Sequence, residues 1–223
     1  MSGSSCSRSQ PAPRARPFPA NRSGRLNRDN SSTTCFATAR IEAPEFTAMD
    51  DPLNILFDEQ AIEQKVSELA GQISHDYAGK ELVLVCILKG AAIFAADLSR
   101  HLTIPVGLDF VHVSSYGSAT VSSRTITVKK DIDMDIRGKN VLLVDGIIDT
   151  GDTMQYLLEQ YRKRGPASIK VAVLLDKHSR RTADVRLDYR GFEIPDEFVV
   201  GYGMDCGEKY RNLPYIATLK NTE

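Results

Sequence analysis

Asp145, Asp149, Thr150, Gly151, Asp152 and Thr153 crowd one short stretch of the chain, VLLVDGIIDTGDTM, from Val141 to Met154. Threonine hydroxyls donate to anionic oxygens. A glycine-containing turn that opens a helix presents free backbone N–H groups, and the helix dipole adds attraction for a phosphate. Asp145 and Asp149 flank Gly146, Ile147 and Ile148. Two acids so spaced suit the hydroxyls of a sugar, or a hard metal ion held through water. The chemistry on offer is recognition of a phosphate, with the acids left to meet sugar hydroxyls or a metal ion. No Gly-Lys-Ser/Thr follows, as a Walker loop requires, and no Gly-x-Gly-x-x-Gly is present, so nucleoside triphosphate and dinucleotide loops are set aside. The plain alternative is a strand, a turn and a helix with solvated acids.

To converge, such residues need a sheet edge. Val141 to Val144 is a short apolar run, as in a strand buried on both faces. The helix after it, from about Gly151 to Arg164, turns Leu157, Leu158 and Tyr161 inward and stops at Gly165-Pro166. Leu82 to Leu88 is a second buried strand, tipped by Lys89-Gly90 and followed by a helix over Ala91 to Leu102. Ile169 to Leu175 is a third, tipped by Asp176-Lys177 with Arg180 and Arg181 close behind. Val106 to Val113, Thr125 to Val128, a short Asp184 to Tyr189 and Phe198 to Tyr202 are the remaining strands. Apolar periodicity predicts a helix over Ile55 to Tyr77, with Asp58 as a plausible N-cap and Gly79 as its stop. Lys129, Lys130, Asp131, Asp133 and Asp135 read as a solvated connector. Strand–helix alternation implies an α/β fold, a mainly parallel twisted sheet flanked by helices with right-handed crossovers. Ligands then bind beyond the carboxyl ends of the strands, which sets Lys89, Asp145, Asp149, Lys177 and Asp205 along one edge. Ser114 to Arg124, small and hydroxylated, predicts a mobile lid at the tip of a long hairpin.

The chain has 223 residues and a net charge of −1, which argues against a nucleic-acid grip by bulk electrostatics. No apolar run is long enough to span a bilayer. Cys6, Cys35, Cys86 and Cys206 lie far apart without metal-ligand spacing, as in a reduced, cytoplasmic protein, and Cys86 is best read as a small buried hydrophobe. Residues 1–49 are rich in Ser, Pro and Arg and lack periodicity. They read as a disordered tail ahead of one domain over residues 50–223. Their composition also fits a transit peptide. A variable tail, or an upstream start with Met49 opening the functional chain, is preferred.

The central stretch resembles the phosphoribosyl pyrophosphate signature of the type I phosphoribosyltransferases. From about Ile55 to Leu219 the chain is similar to their bacterial-type 6-oxopurine branch, the hypoxanthine-guanine phosphoribosyltransferases. The pieces are Leu88-Lys89-Gly90, Ser114-Ser115-Tyr116-Gly117, Asp145 to Thr153, Leu175-Asp176-Lys177, and Phe198 to Gly203 with Asp205 and Arg211. Each alone is weak or moderate; their joint order is specific.

That resemblance implies a parallel sheet with a small hood, and a Mg²⁺-dependent transfer of ribose phosphate from phosphoribosyl pyrophosphate to hypoxanthine or guanine. IMP or GMP and pyrophosphate are the products. It gives Asp149 the role of general base near purine N7. Asp149 to Thr153, with Thr150, Gly151 and Asp152 between them, cradle the 5′-phosphate, and Asp145 grips the ribose hydroxyls. Lys177 donates to the exocyclic O6, Phe198 stacks on the base and the Val199 backbone meets its edge. Lys89, Gly90, Arg211 and Arg181 serve pyrophosphate, and Leu88-Lys89 can adopt a cis peptide. Asp205 and Asp145 hold Mg²⁺, while Ser115 and Tyr116 belong to the lid. A homodimer or homotetramer is implied. The sequence departs from the pattern at Gly146, where a second acid is usual, and at the variable position Asp152. Weaker ribose binding is expected, and Gly146→Asp is expected to tighten it. A xanthine-preferring enzyme and a nucleotide-binding regulator without turnover are the alternatives.

Overall fold

Alternate residues of the apolar runs turn to opposite faces of one sheet, as the pleat of a strand requires. Leu82, Leu84 and Cys86 of β2 (Leu82–Leu88) pack with Leu142 and Val144 of β5 (Asn140–Ile148) under α1 (Glu59–Asp76) and α2 (Ala92–His101). Val83, Val85, Val141 and Leu143 face the other way, toward Met154, Leu157, Leu158 and Tyr161 of α3 (Asp152–Arg162). The computed structural model describes residues 53–116 and 125–219, all within the compact unit Thr47–Glu223. The expected tail over residues 1–49 and the expected lid tip over residues 117–124 lie outside the described residues.

The remaining strands are β1 (Leu53–Phe57), β3 (Val106–Tyr116), β4 (Thr125–Lys130), β6 (Ser168–Asp176), β7 (Tyr189–Glu193), β8 (Val199–Val200) and β9 (Ile216–Leu219). Six form a sheet in the order β4-β3-β2-β5-β6-β7. Its pairings are parallel except for the antiparallel β3–β4 hairpin. The expected mainly parallel α/β architecture is the one observed. β2 lies between β3 and β5, so the chain winds outward from it in both directions, and the crevice at such a switch point is where open α/β sheets bind ligands.

β1, β9 and β8 form a separate antiparallel hood. Leu53 pairs with Leu219, so the hood joins the two ends of the described chain. Four expectations change, in the hood and beyond it. Ile55 to Phe57 are strand rather than helix, because pairing with β9 holds them extended up to Asp58. Asp58 does cap α1, accepting from the Ala61 N–H at 2.8 Å. The run Phe198 to Tyr202 belongs to the hood and is regular only at Val199–Val200. Gly201 (φ +94°) and Tyr202 (φ +46°) turn the chain there, and a Cβ at 201 would lie 2.0 Å from the Tyr215 carbonyl oxygen. The strand expected over Asp184 to Tyr189 instead begins at Tyr189. Lys129 and Lys130, read as connector, extend β4. Cys86 is fully buried, and burial pushes its thiol up to about 12.

Candidate active site

The tips of β2, β5 and β6 and the turn after β8 surround one cavity of about 740 Å³. Lys89 and Gly90 enter it from β2, after a cis Leu88–Lys89 peptide. Asp149 enters from β5 and Lys177 from β6. Phe198, Val199, Asp205 and Arg211 come from the hood. Asp149 also lines a neighbouring cavity of about 240 Å³ with Asp145, Thr150, Gly151, Asp152 and Thr153. The two hollows thus share a single carboxylate. Of the residues singled out in the sequence, Arg181 lines neither. Ser115 and Tyr116 close β3, paired with Ile126 and Thr125.

The smaller hollow opens on a helix N-terminus. Gly151 at φ +91° opens α3, so the helix N-terminus points its free N–H groups there. Thr182 and Ala183 donate their N–H groups to the Thr150 carbonyl, each at 3.0 Å, which pins the turn from behind. Asp152 accepts from the Thr150 hydroxyl at 2.9 Å. The odd acid is therefore engaged inside the turn and stands in the first turn of α3, where negative charge is favourable.

Where the tips of β5 and β6 line the larger cavity, charges alternate. Asp149 Oδ1 lies 2.7 Å from Arg180 Nε. Arg180 Nη1 reaches Asp196 at 3.3 Å, and Lys177 Nζ lies 3.7 Å from Asp196 Oδ1. Asp149 Oδ1 is buried, and its partner is this Arg180 ion pair rather than a well-directed hydrogen bond. Such an acceptor suits an N–H arriving with a ligand. Lys177 is buried, and its backbone N–H donates to the Ile148 carbonyl at 3.1 Å, tying the tip of β6 to that of β5. Phe198 is 53% exposed. An aromatic ring on a cavity wall rather than in the core is free to stack on a flat ligand.

Arg181 was expected to meet pyrophosphate, but its partners lie elsewhere. It pairs with Asp176 and donates to the Asp149 carbonyl at 3.3 Å. Asp176 is 1% exposed, and a carboxylate so buried requires cationic partners. Arg180, one residue earlier, is the guanidinium that reaches the cavity. The sequence sets both arginines close behind Lys177 but gives a ligand role to Arg181 alone and does not single out Asp196; the three-residue 3₁₀ turn His178–Arg180 decides which arginine faces the ligand edge.

At the other end, Arg211 Nη2 lies 2.7 Å from Asp205 Oδ1, and Arg211 Nη1 donates to the Gly203 carbonyl at 2.7 Å. Lys89 donates to both oxygens of Glu208 at 2.9 Å. Asp145 accepts from the Gly146 N–H at 2.8 Å. Burial raises its pKa to about 7, against the stabilising N–H groups of Gly146 and Ile147. A Cβ at Gly146 would stand 2.9 Å from the Gly90 carbonyl oxygen, and one at Gly203 would stand 2.3 Å from the same atom. That carbonyl is wedged between two glycines, so a side chain at 146 cannot be added without moving the tip of β2.

The sequence matches the model of the phosphoribosyl transferase domain over residues 53–206. It is 46% identical to the hypoxanthine-guanine phosphoribosyltransferase of Streptococcus thermophilus, over 76% of this chain and 94% of the relative. It is 45% identical to the hypoxanthine phosphoribosyltransferase of Salmonella typhimurium, over 75% of this chain and 96% of the relative. The crystal structure of a hypoxanthine-guanine phosphoribosyltransferase from Bacillus anthracis, with HEPES in its active site, superposes with a TM-score of 0.72 at 47% identity. It covers 75% of this chain and 98% of that structure. With this match over residues 53–206 and these identities over most of its length, the chain belongs to the phosphoribosyltransferase family.

Proposed function

We propose that the protein joins hypoxanthine or guanine to the ribose phosphate of phosphoribosyl pyrophosphate and releases pyrophosphate, a purine-salvage reaction. The observation that carries this reading is the convergence of Asp149, Lys177 and Lys89 on one cavity at the carboxyl tips of the parallel strands. N9 of the purine attacks the ribosyl carbon as the bond to the diphosphate oxygen breaks. The electron pair leaves with the diphosphate, and the ring proton passes toward Asp149. Lys177 donates to O6, so a 6-amino purine would leave that buried cation unmatched. Phe198 holds the ring by stacking. The turn from Asp149 to Thr153 binds the 5′-phosphate, Asp145 binds the ribose hydroxyls, and Lys89 and Arg211 receive the diphosphate.

Mg²⁺ fits the oxygen donors Asp145 and Asp205. Among the described residues no cluster of three or more metal-ligating side chains forms a cage, and Mg²⁺ is commonly held by one or two carboxylates with substrate phosphates and water. When bound, it would neutralise charge on the leaving diphosphate. Self-association as a homodimer or homotetramer, and a cytoplasmic setting, accompany this reading. Light scattering and cell fractionation test them.

The decisive assay is steady-state turnover of phosphoribosyl pyrophosphate and Mg²⁺ with hypoxanthine, guanine, xanthine and adenine. Turnover of the first two, with adenine inert, is expected. The xanthine-preferring alternative would appear in the same assay as faster turnover of xanthine. One observation favours a regulator without turnover: Asp152 takes the Thr150 hydroxyl that a phosphate would use. That reading predicts nucleotide binding with no product.

A further inference from the structure

Glu208 has no part in the reaction described above, yet it touches both side chains assigned to the leaving group. Lys89 donates to its two oxygens at 2.9 Å, from the tip of β2 and 119 residues away. Arg211 Nη2 donates to Oε2 at 3.3 Å. A carboxylate shared by an ammonium and a guanidinium offers the same charge-assisted contacts as two oxygens of a phosphate. The placement is also specific. The Glu208 N–H donates to Asp205 Oδ2 at 2.9 Å, and Glu208 itself sits at φ +67°, a conformation that side-chain-bearing residues seldom adopt. Hydrogen bonds from Lys89, then Arg211, hold its carboxyl below the usual range. Its side chain is 64% exposed, so water and ligands reach these ion pairs.

Asp205 pairs with Arg211, whereas Glu208 pairs with both Arg211 and Lys89. With Glu208 between them they stay on the cavity wall, where both are lining residues. An incoming diphosphate must take them from Glu208. We propose that Glu208 is a positioning residue of the diphosphate subsite, holding Lys89 and Arg211 together in the free protein and competing with diphosphate for them. The consequence is weaker retention of the diphosphate group, in substrate and product alike. This rests on the phosphoribosyltransferase reading for the identity of the anion.

The test uses the full chain and inorganic pyrophosphate, titrated calorimetrically and as a product inhibitor. Glu208→Gln keeps the shape and removes the charge. Glu208→Gly removes the whole side chain and suits φ +67°, so it guards against a variant that simply fails to fold. Both should bind pyrophosphate about threefold to tenfold more tightly, the scale of two exposed ion pairs. KM for phosphoribosyl pyrophosphate should fall by a similar factor while KM for hypoxanthine stays fixed, a split that a merely structural residue would not produce. Glu208→Asp, which restores the charge, should return pyrophosphate affinity toward the wild-type value. Unchanged or weaker pyrophosphate binding in either neutral variant overturns the proposal. Failure of the wild-type chain to turn over hypoxanthine would instead overturn the reaction assignment.

Discussion

The tips of β2, β5 and β6 hold Lys89, Asp149 and Lys177 on strands that are mostly buried. The hood holds Phe198, Asp205 and Arg211 around a turn between strands of two and four residues. In the sheet, side-chain positions follow from register: Cys86 lies opposite Val144, and Ile148 opposite Asp176. Moving one tip would mean sliding a ladder of hydrogen bonds and turning a buried face outward. In the hood, positions depend on the ion pairs of Arg211, on the Tyr202 hydroxyl donating to Asp97 at 2.6 Å, and on the approach of Gly203 to Gly90. The Arg211–Glu208 pair, whose carboxylate is exposed, is weak and screened by salt. The difference teaches that Lys89, Asp149 and Lys177 stand on tips fixed by strand register, whereas Phe198, Asp205 and Arg211 stand on a part able to yield.

The comparison breaks most sharply at Asp149. Asp149→Asn should lower kcat/KM about 10²- to 10⁴-fold, the span for a general base. The thermal midpoint should barely move, because the Arg180 pair is half-exposed. A variant of near wild-type activity would remove the residue from the mechanism. Next is Lys177→Met, which keeps the buried stem and loses the donor. Turnover of hypoxanthine should fall about 10- to 100-fold, as expected for one charged hydrogen bond, with little change in KM for phosphoribosyl pyrophosphate.

Gly203→Ala addresses the hood. Its Cβ meets the Gly90 carbonyl at 2.3 Å and its φ is +100°, together a cost of about 2–3 kcal/mol. Urea unfolding should show the loss. Hydrogen exchange should locate it in residues 199–219, with β2 and β5 still protected. Equal loosening of both regions would erase the distinction drawn between them.

Asp145 supplies a pH test. Its folded pKa of about 7 lies above the ordinary value of 3.8. Between about pH 4 and pH 7 the native state therefore keeps a proton that the unfolded chain has lost, and stability falls as pH rises through that window. Ribose hydroxyls donate to the ionised form, so affinity for the sugar phosphate should rise with pH and level off above about 7. Asp145→Asn should flatten both curves.

The smallest effect is expected at Gly146. Gly146→Ala should raise KM for phosphoribosyl pyrophosphate about threefold by shifting the tip of β2. The sequence alone suggests that Gly146→Asp would tighten the sugar. The Gly90 carbonyl, 2.9 Å from the added Cβ, opposes that gain, so the aspartate variant should at best equal the wild type in the same assay.

The parallel strands, the anion turn and the Asp58 cap were legible in the amino acids because each is a local pattern: apolar runs, a Gly–Thr turn, an acid before a helix. So was the resemblance, since its motifs are short and ordered. Tertiary structure decided what no window of residues contains. Pairing of Leu53 with Leu219 turned an expected helical start into a hood strand. One short turn sent Arg180 to the cavity and Arg181 to buried Asp176. Glu208 found Lys89 from across the chain, and Gly146 met a backbone oxygen. Periodicity records which face is buried. The partners of charged side chains and the close approach of distant backbones depend on the completed packing.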